Sequence, residues 1–439
     1  MPVLGIRRED KHEWERRVPL TPDAVTRLCK DPELDVVVQP SAIRVFADGD
    51  YRAAGAAVSE ELAGCDVVLA IKEIPTALLR KGGAYAFFSH TIKGQAHNMP
   101  LLRRLMELDC TLVDYERIVD AEGRRLVSFG RHAGLAGMID TLHVLGRRLA
   151  WLGYDTPFAQ VSPAHQYESL AAAEAQLSGL AAPRALPAAL CPFIVGFTGY
   201  GNVSRGAQGV FDRLRPETVE PEELAALATR SSPPRDRLFK VVFEERHLVQ
   251  PDDPAESFEL QTYYDHPERF RSRFEAHARN LSALVNAIYW TDAYPRLLTN
   301  RFLREWFRED PNPRLKVVGD ISCDVEGSVQ CTTHATTPGQ PAYVYEPVSG
   351  RVTHGWQGPG LCMMTTDCLP CELPRESSAA FTEALLPYVA ELAKADFASR
   401  FDAVRLPEPI QRATILWRGK LTPDYAYMQR FALTDPSGP

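Results

Sequence analysis

The sequence predicts an α/β chain built on parallel sheets, and three observations carry that prediction. Short apolar runs alternate with longer helical patterns, one apolar run leads through a pair of spaced glycines into a helix, and polar groups follow directly on the ends of two other runs. Together they predict two Rossmann-like domains, with the ligand site in the cleft between them.

The elements follow in order. "VLGI", "DVVVQP", "DVVLAIKE", "AYAFFSHT" and "CTLVDYE" read as strands of a first sheet, with "TPDAVTRLCK" and "NMPLLRRLMEL" as helices between them. Met138, Ile139, Leu142, Leu145, Leu149 and Leu152 recur at helical spacing and predict a long helix leaving that sheet. "FIVGFTGYG", "ETVEP", "LVNAIYW" and "LKVVGDIS" read as strands of a second sheet. The Ala/Pro-rich "LSGLAAPRALPAAL" reads as a connector, and "RSSPPRDR" as a surface loop inside the second domain. The helical pattern in "LPRESSAAFTEALLPYVAELAKAD" leads the chain back to the first domain. The expected division is residues 1–134 with 371–439 as a substrate domain and residues 135–370 as a dinucleotide-binding domain.

A chain of 439 residues has room for two cores, and 45% apolar with 24% charged residues is ordinary globular composition. The net charge of -8 offers no general field for nucleic acid or an anionic membrane, which points to small-molecule partners. The charged start and the lack of a long apolar run predict a cytoplasmic protein without a membrane segment. Nine scattered cysteines suit reduced thiols. Cys323, Cys331, Cys362, Cys368 and Cys371 do cluster, and "CLPC" has zinc or redox spacing, but no second C-x-x-C or paired histidine motif accompanies it and no metal is expected.

"FIVGFTGYGNVSRGAQGVF" has the strand, turn and helix that make a glycine pair informative. Gly199 suits the tight turn, Gly201 the close approach of a pyrophosphate, and the helix start at Asn202, Val203 and Ser204 supplies amide donors. Ser204 stands where a third glycine is usual. Glu220 lies at the distance where an acid takes the ribose hydroxyls of NAD, whereas Arg213 and Arg215 suit the phosphate of NADP. These residues do not decide between the two, and a nicotinamide cofactor is expected, NADPH or NADH.

"AIKEIP" ends one apolar run with Lys72, and "FFSHTIK" ends the next with His90 and Lys93. Neighbouring strand ends converge in an open α/β sheet, so these groups are expected to face a ligand crevice. A lysine shifted by burial serves as a base, and a histidine gives or takes a proton near neutral pH.

The segments "GIRREDKHEWERRVPLTP", "FFSHTIKGQAHNMPLL", "FGRHAGLAGMIDTL", "GYGNVSRGAQGVF", "HPERFRSRF", "IYWTDAYPRLLT" and "DISCDVEGSVQCTT" resemble the lysine–2-oxoglutarate reductase (saccharopine dehydrogenase, lysine-forming) family, within the alanine dehydrogenase superfamily. The resemblance implies reductive condensation of L-lysine with 2-oxoglutarate to saccharopine by a free-standing reductase. It implies Lys72 as base and His90 as acid. Arg17, Lys93 and Arg124 are implied for the substrate carboxylates, and Arg125 for the cofactor. Asp320 is implied near the nicotinamide end, and Asp324 resembles a catalytic acid of alanine dehydrogenase. The C-x-x-C then reads as a loop at the active-site rim. Arg131 and His132 depart from the family's uncharged, often aromatic residues, which bears on the acid accepted. The alternatives are a related opine-forming or alanine dehydrogenase-like oxidoreductase, and a non-catalytic nucleotide-binding protein; a homo-oligomer is compatible with either.

Overall fold

A computed structural model describes residues 1–181 and 185–433. Residues 182–184 of the Ala/Pro-rich connector and residues 434–439 lie outside the described residues. The strands, in chain order, begin with β1 (Val3–Ile6), β2 (Asp35–Val38), β3 (Ala57–Val58), β4 (Val67–Leu69), β5 (Ala84–Phe87) and β6 (Thr111–Asp114). Next come β7 (Phe193–Thr198), β8 (Glu217–Thr218), β9 (Leu238–Phe243), β10 (Val249–Pro251), β11 (Phe270–Ser272) and β12 (Ala283–Asn286). The last are β13 (Val317–Asp320), β14 (Ala342–Glu346), β15 (Arg351–His354), β16 (Leu361–Met364), β17 (Thr414–Trp417) and β18 (Lys420–Leu421).

Two compact units divide the chain: residues 1–129 with 374–439, and residues 130–373. The first holds an eight-stranded sheet in the order β18-β17-β6-β5-β4-β1-β2-β3. Its pairs from β6 to β3 are parallel, while β17 and β18 join the β6 edge antiparallel. The second holds a sheet in the order β15-β14-β16-β13-β12-β7-β9-β8, parallel from β16 to β8.

Burial explains the element types. In β4, β5 and β6 every residue is buried, as expected of parallel strands covered on both faces. Along β7, Phe193, Val195 and Phe197 enter the core under the helices Gly130–Trp151 and Asn202–Phe211, while Ile194 enters the core on the other face. Thr21 caps the helix Pro22–Leu28, with Pro22 in its first turn and Asp23 favourably placed at its positive end.

Several strands were not anticipated from the sequence: β3, β9 and the antiparallel group containing β14 and β15. The consequence falls on "ETVEP". Its strand β8 lies at the sheet edge, and β9 occupies the place beside β7.

The helix Gly130–Trp151 fixes the glycine loop through a close backbone crossing. A Cβ on Gly134 would stand 1.9 Å from the Val203 carbonyl oxygen, and one on Gly206 would stand 2.3 Å from the Arg131 carbonyl oxygen. Only glycine permits that approach, and backbone cannot rotate away as a side chain would. Gly134→Ala should therefore cost about 2 kcal/mol or more, within the range for overpacking. A denaturant-midpoint comparison checks this, and an unchanged midpoint would refute the crossing.

Candidate functional site

In the first unit, polar groups gather at the carboxyl ends of β1, β4, β5 and β6. Arg7 follows β1, Lys72 lies three residues beyond β4, His90 three residues beyond β5, and Asp114 ends β6. The Glu9 carboxylate holds the turn bearing Lys72, accepting from the backbone N–H of Ile71 at 2.6 Å and of Lys72 at 3.0 Å. Burial, with Glu15 nearby, pushes the Glu9 pKa up to about 7. Burial lowers the Lys72 pKa, and the Arg17 charge lowers it further.

Arg17 is buried and forms a two-pronged ion pair with Glu15, Nε to Oε1 at 2.7 Å and Nη2 to Oε2 at 2.6 Å. Its guanidinium lies 4.2 Å from the Phe129 ring centroid, and Phe129 stacks on Phe381 at 4.9 Å. The helix Pro374–Ala393 steadies this segment: Ser378 Oγ accepts from Val18 N–H at 3.0 Å, and Thr382 Oγ1 accepts from Thr21 N–H at 3.0 Å.

His90 adopts φ 51°, a left-handed conformation that costs a histidine energy and that surrounding bonds must hold. Asn98 Nδ2 donates to the His90 carbonyl at 2.7 Å, and the preceding Ser89 hydroxyl donates to the buried Asp114. Burial raises the Asp114 pKa to about 6 against that bond. On the ring, Nδ1 meets Glu73 Oε1 at 2.6 Å, while Glu73 Oε2 accepts from Lys11 Nζ at 2.9 Å. Burial alone would raise the Glu73 pKa, but the bonds from His90 and Lys11 outweigh it and the carboxyl is held low. Glu73 is thus an anion that orients the ring and leaves Nε2 for other partners.

The other first-unit candidates are placed differently. Lys93 is exposed. Arg124 pairs with Asp120 at 2.7 Å and Glu122 at 3.1 Å within its own turn, and Arg125 pairs with Glu116. Both arginines are therefore engaged locally rather than gathered with Arg17 and Lys72.

In the second unit, Gly199 has φ 77° and its N–H donates to the Phe243 carbonyl at 2.9 Å, which fastens the glycine turn to the end of β9. A Cβ at Gly201 would meet nothing within 4 Å, so this backbone is open to a ligand. Asn202 and Val203 open the helix, and the Ser204 hydroxyl, fully buried, accepts from Gln208 Nε2 at 3.0 Å. A cavity of about 330 Å³ lies beside the turn, lined by Gly199, Gly201, Tyr200, Tyr264, Tyr289 and Glu245. Glu245 Oε1 accepts from Tyr264 at 2.8 Å and stands 3.5 Å from the Tyr200 hydroxyl.

Glu220 does not follow the strand beside the glycine turn. It follows the edge strand β8, and its N–H donates to Glu223 at the start of a short helix, whereas Glu244 and Glu245 follow β9, the strand next to the glycine turn. Asp320 is fully enclosed: Oδ1 accepts from Asn286 Nδ2 at 2.8 Å, Oδ2 accepts from the Thr332 hydroxyl, and burial raises its pKa to about 6. Asn286 Oδ1 in turn accepts from Thr198 at 2.9 Å, so Asp320 ties together the ends of β13, β12 and β7. Asp324 is exposed in the following turn. Cys368 and Cys371 are joined by a disulfide, which corrects the expectation of reduced thiols at this pair, and the other seven cysteines are free.

Single-residue reasoning overlooked Glu9, Lys11, Glu15, Glu73, Asp114 and Glu245. The signal for four of them is the density of charge in "RREDKHEWERR" and "IKE" directly after apolar strands.

A model of the alanine dehydrogenase/PNT N-terminal domain matches residues 5–136. Alpha-aminoadipic semialdehyde synthase of Arabidopsis thaliana is 37% identical over 99% of this chain and 42% of its own length. The mitochondrial protein of that name from Rattus norvegicus is 36% identical over 98% of this chain and 48% of its own. The chain thus spans less than half the length of these relatives. Saccharopine dehydrogenase (NAD(+), L-lysine-forming) of Neurospora crassa is 28% identical over 89% of this chain and 91% of its own. Among solved structures, an L-alanine dehydrogenase superposes with a TM-score of 0.61 at 17% identity, covering 98% of each chain, a likeness of fold. No helix among the described residues is long and apolar enough to cross a membrane. Along nearly its whole length the chain is thus similar in sequence to alpha-aminoadipic semialdehyde synthases and to a saccharopine dehydrogenase, and it shares the fold of an alanine dehydrogenase.

Proposed function

We propose that the chain is a nicotinamide-dependent oxidoreductase acting on a CH–NH bond, which condenses L-lysine with 2-oxoglutarate and reduces the product to saccharopine. The observation that carries this reading is the pairing of Lys72, with its ammonium form disfavoured, and His90, oriented by Glu73, beyond neighbouring strands. The names of the relatives that span the chain support the substrates.

The chemistry needs a base and an acid. Neutral Lys72 takes a proton from the attacking ε-amine, and His90 protonates the oxygen lost as water when the imine forms. Arg17 and Lys93 supply positive charge for substrate carboxylates. The nicotinamide supplies hydride to the imine carbon when bound. The open backbone at Gly201 and the amides of Asn202 and Val203 suit its pyrophosphate, and Glu245 suits a ribose bearing free hydroxyls. That acid favours NADH over NADPH, because a 2′-phosphate would meet carboxylates. The family resemblance carries Arg125 toward the cofactor, Asp320 near the nicotinamide and Asp324 as a catalytic acid. Asp320 acts in this reading by holding the strand ends.

Oxidation of NADH or NADPH, followed by absorbance, should require L-lysine and 2-oxoglutarate together. Oxidation with pyruvate and ammonia instead would assign the alanine dehydrogenase-like reaction, and no oxidation with any pair would leave nucleotide binding without turnover. Lys72→Met and His90→Gln should each lower kcat by roughly 10²–10⁴ with an unchanged circular dichroism spectrum. Wild-type turnover in either would remove that residue from the mechanism.

Activity should rise with pH as Lys72 loses its proton, with a limb below the ordinary lysine value of 10.5. Arg17→Gln removes the neighbouring charge and should move that limb to higher pH. An unmoved limb would mean that another group limits the rate. Glu245→Ala should raise the KM for NADH several-fold, roughly the worth of one or two hydrogen bonds, while Glu220→Ala leaves it unchanged. The reverse pattern would restore Glu220.

A further inference from the structure

The first unit holds a cavity of about 1010 Å³ at the amino-terminal ends of β5 and β6, the ends opposite to His90 and Asp114. Its floor is aromatic. The Trp417 ring at the end of β17 lies 5.6 Å from Phe397 and 5.7 Å from Phe401, and Trp417 Nε1 donates to the Ser399 carbonyl at 3.0 Å, which holds the indole in one orientation.

Its rim is cationic. Lys81, Arg400, Arg418 and Lys420 stand against only two carboxylates, Asp109 and Asp402, an excess of two positive charges in a chain whose net charge is -8. The acids do not neutralise it. Asp402 is taken by Arg400, at 3.0 and 2.7 Å, while Asp109 lies 4.0 Å from Lys81. Arg418 spends Nη1 on the Ala398 carbonyl at 2.8 Å, and Lys420 has no ion pair among the described residues. The Arg418 backbone, at φ 48°, is fixed by its N–H bond to Thr111 Oγ1 at 3.2 Å. Solvent-facing cations thus ring an aromatic floor, in a volume suited to a small ligand.

We propose that this cavity is a binding site for a small aromatic dianion, a flat ring bearing a doubly charged group such as a phosphate. The ring lies against the half-buried Phe397 and Phe401, which are backed by the buried Trp417, and the charge meets Lys81, Arg418 and Lys420. The site is separate from the glycine-turn cavity, whose lining carries the carboxylate of Glu245 instead of an excess of cations.

Phenyl phosphate is the probe, titrated calorimetrically into the full chain with and without NADH, beside inorganic phosphate and benzyl alcohol as its separate parts. One site is expected, indifferent to NADH and tighter than for either part. Lys81→Glu and Lys420→Glu, both exposed side chains, should each weaken it by about tenfold or more while the thermal melt stays that of the parent. Four results would overturn the proposal: no binding, binding equal in both variants, phosphate binding as tightly as the aryl ester, or loss of binding on adding NADH. A concentration-dependent dimer abolished by Lys420→Glu would also overturn it, by giving the face to a second copy of the chain.

Discussion

Parallel pairing is the constraint on which both units depend. Parallel strands must return by crossovers, so all of them end at the same edge of the sheet, and the loops leaving that edge converge whatever their separation along the chain. Residues from the segments after β1, β4, β5 and β6 meet for this reason in the first unit, and those after β7, β9, β12 and β13 in the second. The edge is also where backbone partners run out. Side chains take over there, with Glu9 serving the turn after β4, Asp114 the turn after β5, and Asn286 with Asp320 the ends of three strands.

Charge at such an edge is costly unless each group has a partner. The Glu15–Arg17 pair is almost fully buried and is seated on Phe129, which shields the ion pair from competing water and leaves its field to act on its surroundings. Burial disfavours Lys72 as an ammonium and the Arg17 charge adds to this while Glu15 opposes it, and His90 is fixed through an anion held by Lys11.

Much of this was legible in the sequence because the relevant signals are local. Apolar runs ending in Lys72 and His90, and the Gly199–Gly201 turn before a helix, need no knowledge of distant contacts. The placing of Glu220 after an edge strand was not legible because strand order is not local. "LFKVVF" alternates between half-buried and buried positions directly after a breaker run, and it takes the interior place that chain order would give to "ETVEP". Pairing length accounts for the outcome: β9 matches β7 over six residues, while β8 contributes two. The partners of Arg124 and Arg125 were not legible from the motif either, since acids two to nine residues away pair with their guanidinium groups, which a motif match does not weigh.

The closing of the first sheet by β17 has a consequence for synthesis. Thr414 pairs with Val113, so the strand that covers the β6 edge leaves the ribosome only after the whole second unit has been made. Until then the nascent first unit exposes unpaired backbone along β6 and the apolar bed awaiting Phe381, Leu385 and Val389. The second unit, contiguous in the chain, is free to fold during that interval. The first is a candidate for chaperone protection during translation and for aggregation when elongation stalls near residue 373.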